Sequence, residues 1–428
     1  MKIITGNQYK NKQIAQQSTE KELLMVNQII EKVIKDKDKA LFELTQKFDG
    51  IALDRLDVTE DELHMAYAKT DDTFMAALRL AAENIRAFHE KQKRTSWMEP
   101  HMDGSVLGQM ISPLQRVGVY VPGGTAAYPS SVLMNVIPAL VAGVEEIVMV
   151  TPPGSGAAQR IHPNILVAAN ELGIKEIYSV GGAQAIAALA YGTETIAPVD
   201  KICGPGNIFV ALAKQQVYGT VDIDSIAGPT DITVIADETA DPSFIAADLL
   251  SQAEHDELAT AIFITDSKTL AEKVHQQVYE QLETLPRKQI AQTSLEHNGQ
   301  IIIVESMQEG VDIVNRIAPE HLELMMDEPM QWLGKVQHAG AIFIGPYSSE
   351  PVGDYFAGPN HILPTNGTAR FSSPLSVDDF VKKSSVIQYS KQALFDSAPY
   401  ITSLARGEGL EGHARAIEVR LQKEGEKR

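Results

Sequence analysis

The N-terminal part of the chain shows the apolar spacing of amphipathic helices. Apolar residues recur three and four positions apart among charged ones over 20–50 and again over 59–94, as they do on the buried face of a helix. Gly50 follows the first segment and suits a helix C-cap. The pattern therefore predicts that the chain opens with a helical region.

From residue 117 the pattern changes to short runs rich in Val and Ile, separated by Gly and Pro turns and by longer helical stretches. The runs predict strands at 117–121, 146–151, 175–180 and 200–203. The stretches between them predict helices at 130–142, 163–173, 183–192 and 207–218. Continuous apolar runs are typical of parallel strands buried on both faces, and helices of this length suit crossover connections. A first Rossmann-like domain is expected here.

A second alternating block follows. It predicts strands at 232–235, 259–265, 300–304 and 341–344. It predicts helices at 242–253, 267–285 and 307–316. Beyond about residue 384 the chain has mixed helical character and a highly charged end. The fold class predicted is α/β, with two tandem, incomplete Rossmann-like parallel-sheet domains, a helical N-terminal region and a helical C-terminal tail.

The same pattern predicts five parts along the chain. They are an N-terminal arm at 1–20, a helical region at 21–110 that packs on the second α/β domain, a first Rossmann-like domain at 111–228, a second at 229–380, and a C-terminal tail at 381–428.

Composition narrows the classes of function. The 428 residues carry a net charge of -19 with only 37 Lys and Arg, which argues against nucleic acid or an anionic membrane surface as a partner. Apolar runs are interrupted by Asn or Glu before they reach membrane-spanning length. Cys203 is the only cysteine, which excludes an internal disulfide and a Cys-rich zinc site and fits a cytoplasmic protein.

Three glycine-rich turns follow predicted strands. They are Pro122-Gly123-Gly124, Gly181-Gly182-Ala183-Gln184 and Gly204-Pro205-Gly206-Asn207. Ligands bind at the carboxyl ends of strands in such sheets, and the following helix N-terminus favours a phosphate. None of the turns has the GxGxxG pattern, so the glycines alone are equally consistent with ordinary tight turns.

The segment Ala318-Pro319-Glu320-His321-Leu322-Glu323 places a carboxylate beside an imidazole just after a proline. Glu320 can activate water and His321 can carry a proton near neutral pH, so the pair can serve two proton transfers in one site. An isolated Glu-His pair is also found at solvated helix starts.

Several residues have the chemistry of metal ligands. Gln252 and His255 lie three residues apart near the end of a predicted helix, where both can reach one ion. Asp354, His361 and His413 lie in segments rich in glycine. The spacing alone leaves a polar helix end and ordinary loop residues as the simpler interpretation.

These motifs occur together and in the same order as in one known family. The chain contains ValGlyValTyrValProGlyGly from Val117, ValGlyGlyAlaGlnAlaIleAlaAlaLeuAla from Val180, GlyProGlyAsn from Gly204, AspLeuLeuSerGlnAlaGluHis from Asp248, AlaProGluHisLeuGlu from Ala318, GlyAspTyr from Gly353 and AsnHisIleLeuProThr from Asn360. Together they resemble the histidinol dehydrogenase family over nearly the whole chain, with the weakest match in the N-terminal helices.

The resemblance implies a zinc-dependent homodimer with one Zn²⁺ per subunit. It also implies that the domain at 111–228 is the dinucleotide side, that the domain at 229–380 is the metal and catalytic side, and that the tail at 381–428 contacts the dimer partner. It also implies oxidation of L-histidinol through L-histidinaldehyde to L-histidine with two NAD molecules, the last two steps of histidine biosynthesis. The zinc ligands of the family fall on Gln252, His255, Asp354 and, from the partner subunit, His413. The acid/base pair falls on Glu320 and His321.

The remaining site residues are implied in the same way. The metal ligands and the acid/base pair also contact the substrate, with further contacts at Thr230, His361 and Glu408. Dinucleotide contacts fall on Tyr120, Gln184 and Asn207. The chain departs from the common AlaGlyProSerGlu of the family at Ala227-Gly228-Pro229-Thr230-Asp231, where the extra methyl of Thr230 bears on substrate fit.

Three alternatives remain open at this stage. A Cys-dependent aldehyde dehydrogenase would use Cys203 as its nucleophile. A relative of the family would oxidise another amino alcohol or a diol, because motifs alone do not fix the substrate. A catalytically dead protein would bind metal and dinucleotide without turnover.

Overall fold

The computed structural model describes residues 1–10, 20–123, 127–154 and 160–425, with side chains up to residue 422. It divides into two compact units, which are Met1–Gln92 with Leu114–Phe380, and Lys93–Pro113 with Val381–Arg428. The candidate chemistry lies mainly in the first unit, which contains both parallel sheets.

The strands of the described residues, in chain order, are β1 Lys2–Thr5, β2 Trp97–Pro100, β3 Val106–Pro113, β4 Arg116–Tyr120, β5 Glu146–Thr151, β6 Glu176–Ser179, β7 Lys201–Cys203, β8 Asp222–Ile223, β9 Asp231–Ala236, β10 Thr260–Thr265, β11 Gln300–Ile303, β12 His321–Met325, β13 Ala341–Ile344 and β14 Val381–Gln388. The helices are α1 Glu20–Phe48, α2 Glu60–Lys69, α3 Asp72–Glu90, α4 Pro129–Ala142, α5 Pro163–Glu171, α6 Gly182–Tyr191, α7 Ile208–Val217, α8 Pro242–Ala253, α9 Lys268–Leu282, α10 Lys288–His297, α11 Met307–Ile317, α12 Met330–Leu333, α13 Glu350–Tyr355, α14 Lys391–Gly407 and α15 Glu411–Gly425.

The first sheet has the strand order β6-β5-β4-β7-β8, and all of its pairings are parallel. β4 is buried along its whole length and β5 is buried after its first residue, as continuous apolar runs predict. The chain moves outward from β4 through β5 to β6 and then returns to the other side of β4 with β7. That reversal beside β4 is the switch point at which such sheets bind ligands.

The second sheet has the order β1-β11-β10-β9-β12-β13, again with parallel pairing throughout. Its reversal lies beside β9, between β10 on one side and β12 on the other. The predicted tandem of two parallel-sheet α/β domains is therefore confirmed.

Two details of the second sheet differ from the prediction. The predicted N-terminal arm contributes β1, which pairs in parallel with β11. The segment around His321, which has no predicted strand, forms β12 between β9 and β13. Both are short segments whose strand conformation is set by partners far away in sequence.

The N-terminal helices pack on the first sheet and its helices, which corrects the prediction that they pack on the second domain. Apolar residues of α1, including Val26 and Val33, share one core with the alanine-rich α6. Residues of α2 and α3, such as Ala66 and Ile85, share another core with α4 and α5. The apolar faces are those predicted, but sequence spacing does not reveal which surface covers them.

The second unit contains an antiparallel sheet of order β14-β3-β2, with α14 and α15 packed against each other. The helical region was predicted to run to residue 110 and the tail at 381–428 to have helical character, but β2 and β3 end the first range and β14 begins the second. No helix in the described parts of the chain combines the length and the apolar character that a membrane span requires.

Candidate functional site

A cavity of about 420 Å³ opens in the first unit, with walls from both parallel sheets. One wall contains the turns that follow β4 and β7, represented by Gly123 and Asn207. The other contains residues at the beginning of β9 and β12, including Thr230 and His321. The cavity therefore meets the carboxyl edge of the first sheet and the amino edge of the second.

The turn after β7 approaches the backbone of β4 very closely. Gly204 has φ +110, and a Cβ at this position would lie 2.0 Å from the carbonyl oxygen of Tyr120. Only glycine combines that backbone conformation with so close an approach. The turn leads into α7, whose N-cap Asn207 accepts hydrogen bonds from the N–H groups of Phe209 and Val210.

The three predicted dinucleotide contacts occupy different positions around these turns. Among the described residues, Asn207 lines the cavity, whereas Tyr120 and Gln184 are buried behind the turns. The Tyr120 hydroxyl accepts a hydrogen bond from the Gly182 N–H at 3.1 Å and so fixes the turn before α6. The structure therefore brings Asn207 to the surface of the cavity and gives Tyr120 a supporting contact.

Glu320 and His321 lie at the beginning of β12 and are almost completely buried, at 6% and 3% exposure. The chain reaches them from α11 through Ala318, which has φ 52, and then Pro319. For an isolated pair, a solvated helix start is the simpler interpretation. The structure instead places it inside the cavity, at the edge of a buried strand.

Asp231 orients both members of the pair through its backbone and side chain. Its N–H donates to Glu320 Oε2 at 3.0 Å, and its own Oδ1 accepts from the Glu320 N–H at 3.0 Å. His321 Nδ1 lies 3.1 Å from the Asp231 carbonyl oxygen. A carbonyl can only accept, so Nδ1 donates and Nε2 is left as the acceptor of the neutral ring. Nε2 is buried and has no hydrogen-bond partner among the described residues.

Thr230 connects Glu320 to Gln252. Its hydroxyl donates to Glu320 Oε2 at 2.5 Å and accepts from Gln252 Nε2. Because the amide nitrogen of Gln252 is engaged, its Oε1 is the free acceptor, and this atom is buried without a hydrogen-bond partner in the described part of the chain. Buried acceptors of this kind are rare in folded proteins and point to a missing ligand.

A group with metal-binding chemistry lines the same cavity as Gln252. One ligand atom from each of His255, Glu350 and Asp354 lies within 4.8 Å of the others. Gln252 and His321 line the same cavity, and His321 Nε2 is 3.8 Å from Asp354 Oδ1. Glu350 is the member that sequence reasoning missed, because only α13 brings it next to Asp354.

Burial and mutual charge shift the pKa of four acidic groups in and beside the cavity. Burial and the charge of Asp354 raise the pKa of Glu350 to about 8. Burial likewise raises the pKa of Asp354, but the neighbouring His321 and the charge of His361 outweigh it and lower the pKa to about 2. Burial raises the pKa of Glu320, and burial together with the Glu320 charge raises that of Asp231 to about 7.

His321 responds to the same acidic surroundings. Burial alone lowers its pKa, but the charges of Glu320 and Asp354 outweigh burial and raise it to about 10. The site therefore concentrates negative charge in a buried space, which is the electrostatic setting of a cation site.

The other predicted site residues divide between the two units. His361 lines the cavity, and its Nδ1 lies 3.1 Å from the Asp354 carbonyl oxygen. Glu408 and His413 belong to the second unit, where Glu408 is the C-cap of α14 and His413 lies in α15. Both are exposed on that unit.

Cys203 is completely buried in the core beside β4. Burial raises the pKa of its thiol well above the usual range, which disfavours the thiolate that a nucleophile needs. The geometry thus argues against the Cys-dependent alternative.

Comparisons with known proteins agree with this arrangement. The family model "Histidinol dehydrogenase" matches residues 11–421. The chain is 59% identical over 425 residues to the histidinol dehydrogenase of Halalkalibacterium halodurans, covering 99% of this chain and 100% of that protein. It is 60% identical over 402 residues to the histidinol dehydrogenase of Bacillus subtilis, covering 94% of each.

A solved structure gives the same result. The crystal structure of histidinol dehydrogenase from Elizabethkingia anophelis superposes with a TM-score of 0.91 at 40% sequence identity, covering 96% of this chain and 94% of that one. The family match spans almost the whole sequence, and the relatives are matched over almost their whole length. The chain belongs to the histidinol dehydrogenase family.

Proposed function

We propose that this protein oxidises L-histidinol through L-histidinaldehyde to L-histidine with NAD, in the last two steps of histidine biosynthesis. The observation that carries the proposal is the buried Glu320–His321 pair, which faces a cavity whose opposite wall is formed by glycine turns at a sheet switch point. We infer that the enzyme works in the cytoplasm, where NAD and the other biosynthetic intermediates are available.

The donor atoms in the cavity fit a zinc ion. Gln252 Oε1 is a buried acceptor without a partner, and His255 and Asp354 supply an imidazole nitrogen and a carboxylate oxygen. Zinc accepts ligands of these types. We propose that these three residues and His413 of the partner subunit hold one Zn²⁺ per subunit. Glu350, which lies within reach of the same point, is either a further ligand or an orienting neighbour.

When bound, the cation would hold nitrogen donors of the substrate and offset the negative charge of the site, and NAD would accept the hydride in each oxidation. The side chains of the protein provide the substrate contacts and the proton transfers. His361 and Glu408 are the proposed additional contacts to the substrate.

His321 is the proposed base for the alcohol step. Its Nδ1 is held by the Asp231 carbonyl, so Nε2 faces the cavity. The charges of Glu320 and Asp354 raise the pKa of the ring to about 10, and a bound cation would offset those charges and leave Nε2 free to accept the hydroxyl proton. Holding one ring nitrogen in this way fixes the tautomer and the direction of proton transfer. The alcohol loses its O–H proton to Nε2 and its C–H hydride to the dinucleotide, which gives the aldehyde.

Glu320 is the proposed base for the aldehyde step. Two donors, the Thr230 hydroxyl and the Asp231 N–H, orient its carboxylate. It takes a proton from water as the water oxygen bonds to the aldehyde carbon, and the resulting hydrate anion loses a second hydride to give the acid. Because both bases are buried in one cavity, the aldehyde can react before it meets bulk solvent.

The dinucleotide is proposed to bind along the first sheet. Asn207 at the N-terminus of α7 lines the cavity, and Tyr120 supports the turn before α6. A helix N-terminus beside a glycine turn provides the donors that a pyrophosphate needs. Gln184 is the third proposed contact, and it becomes accessible only if the Gly182 turn adjusts around the ligand.

A homodimer is proposed from the surface of the second unit. Apolar side chains remain exposed there, including Ile387 at 71%, Tyr400 at 73% and Leu404 at 71%. The buried apolar side chains of its two helices are small, such as Ala398 and Ala405. Exposed apolar surface of this kind marks an interface, and a second copy would bring Glu408 and His413 of the partner subunit to the cavity.

The test compares two substrates and two variants. Wild-type protein should reduce NAD with either L-histidinol or L-histidinaldehyde. Glu320→Gln should retain the alcohol–aldehyde interconversion, followed as aldehyde reduction by NADH, and lose aldehyde oxidation. His321→Asn should lose the alcohol step more strongly. Equal damage to both half-reactions by both variants would contradict the division of roles, and no NAD reduction by wild type would contradict the function itself.

A further inference from the structure

A buried ion pair lies directly behind the glycine turn that follows β7. Lys214 of α7 is only 2% exposed, and its Nζ contacts Asp224 Oδ1, which is also buried. The same Nζ donates to the Gly204 carbonyl oxygen at 3.1 Å. Neither residue is needed for the acid/base steps or the metal ligands described above.

Asp224 holds the other polar backbone group of Gly204. Its Oδ2 accepts from the Gly204 N–H at 2.7 Å, and its Oδ1 accepts from the Ser225 N–H at 2.6 Å. Gly204 therefore donates to Asp224 and accepts from Lys214, so both of its polar backbone atoms are held by one ion pair.

The opposite side of Gly204 is equally constrained. A Cβ there would lie 2.0 Å from the Tyr120 carbonyl oxygen, so the glycine is packed against the end of β4. The turn is enclosed between that backbone and the ion pair. Lys214, Asp224, Gly206 and Asn207 all line the cavity, which connects the pair to the proposed dinucleotide side of the site.

Burying two charges is expensive, and well-packed apolar residues in their place often give equal or greater stability. A pair in this location is therefore poorly explained by stability alone. Its geometry offers a more specific role, because its hydrogen bonds go to the backbone of the turn.

We propose that Lys214 and Asp224 are positioning residues that hold the turn at 204–207 in the shape that receives the dinucleotide. The inference rests on the proposed function, because it concerns how that same site binds NAD. The residues act through the Gly204 backbone, so their removal raises the KM for NAD and leaves the KM for L-histidinol and the kcat at saturating NAD nearly unchanged.

A matched control lies on the same sheet. Lys201 is 5% exposed and pairs with Asp222 at 2.8 Å. It begins β7, so it lies at the amino end of the strand, whereas the turn at Gly204 follows the carboxyl end. Lys201→Met thus removes a buried lysine and its ion pair at the edge away from the cavity.

The experiment uses Lys214→Met, Lys214→Met/Asp224→Asn and Lys201→Met. For each full-length, zinc-loaded protein, the melting temperature, the KM values and kcat are measured, together with NAD binding by calorimetry without substrate. In Lys214→Met, the loss of a hydrogen bond from a charged donor should raise the KM and Kd for NAD about tenfold. The double variant should regain melting temperature, because no buried carboxylate is left unpaired, but should keep the raised NAD values since Gly204 still lacks its donor.

The outcomes separate positioning from simple stabilisation. Recovery of both melting temperature and NAD affinity in the double variant would overturn the proposal, as would an equal NAD effect in Lys201→Met. If Lys214→Met does not fold, the double variant decides the question by itself. Absence of L-histidinol turnover in wild type would count against the proposed function, while the calorimetric NAD affinities would still test the inference.

Discussion

The two parallel sheets of the first unit reverse direction in the same way, yet they present opposite edges to the cavity. The first sheet contributes the turns after β4 and β7, at its carboxyl edge, and the second contributes residues that begin β9 and β12, at its amino edge. In parallel α/β units, helix N-termini lie at the carboxyl edge and helix C-termini at the amino edge. The first edge suits an anionic dinucleotide and the second suits a cation.

The candidate binding residues at the two edges agree with this electrostatic difference. Asn207 caps the N-terminus of α7 on the first sheet, whereas Gln252 and His255 lie at the C-terminal end of α8 on the second. The proposed function thus places cofactor binding at the first sheet and the chemistry at the second. Substitutions at the two edges should therefore change different kinetic constants.

The largest expected effect comes from the amino edge of the second sheet. Glu320→Gln should lower kcat for the overall reaction by about 10² to 10⁴, the usual contribution of a general base. Asp327→Asn is the matched control, because Asp327 follows β12 at the opposite edge and is exposed. Steady-state kinetics should give the control a kcat within about twofold of wild type, since exposed substitutions are usually mild. A comparable loss in the control would show that either edge of the sheet serves the chemistry.

A substitution in the turn of the first sheet should act on NAD instead. Gly204→Ala forces a side chain toward the Tyr120 backbone at φ +110, so the turn must move and the KM for NAD should rise tenfold or more, about 1.4 kcal/mol. Gly219→Ala is the control, since Gly219 has φ +100 but open space around its Cβ position. It should lower stability by about 1 kcal/mol through backbone strain without changing the KM for NAD. Equal NAD effects in both variants would mean that strain, and not the close approach, is responsible.

The hydroxyl between Gln252 and Glu320 should have an intermediate effect. Thr230→Val removes the donor to Glu320 Oε2 and the acceptor for Gln252 Nε2, so kcat should fall about 10- to 100-fold, as for loss of a group that orients metal ligands. Thr230→Ser keeps the hydroxyl and should stay within about threefold of wild type. Zinc content measured alongside kcat distinguishes a weakened metal site from a misoriented base. Full activity of Thr230→Val would contradict a role for the Thr230 hydroxyl in orienting Gln252 and Glu320.

The smallest effect is expected at Cys203. Cys203→Ser places a hydroxyl in a fully buried core position, so the free energy of unfolding should fall by about 1 to 3 kcal/mol. Activity per folded molecule should be within about twofold of wild type, because the thiol has no proposed role. Thermal melting and kcat measured on the same preparation check both statements. A loss of aldehyde oxidation alone would revive a thiol-dependent mechanism.

Sequence patterns predicted the tandem parallel sheets because buried strands and their crossover helices have a clear periodic signal. They did not predict β12, in which the buried Glu323 interrupts the apolar run. Its environment explains the burial, since Glu323 Oε1 accepts from the Glu350 N–H at 3.0 Å. Burial and the charge of Asp248 also raise its pKa well above the usual range. These partners are distant in sequence, so local patterns cannot reveal them.

At the candidate site too, local sequence patterns do not reveal contacts between residues that are distant in the chain. The motif resemblance named Gln252, His255, Glu320 and His321, and the structure brings them to one cavity. Glu350 was missed because it stands out only through its distance to Asp354 and His255. The supporting role of Asp231 was also hidden, since its hydrogen bonds to Glu320 form between two strands about ninety residues apart in the chain.

The most direct test of the central claim is the number of NADH molecules formed per L-histidinol consumed. It is measured with zinc-loaded protein and excess NAD, beside a chelated sample and a chelated sample given zinc again. A four-electron oxidation completed in one metal-dependent cavity predicts two NADH per substrate, loss of turnover on chelation and recovery with zinc. One NADH per substrate, or unchanged turnover after the metal is removed, would contradict the account.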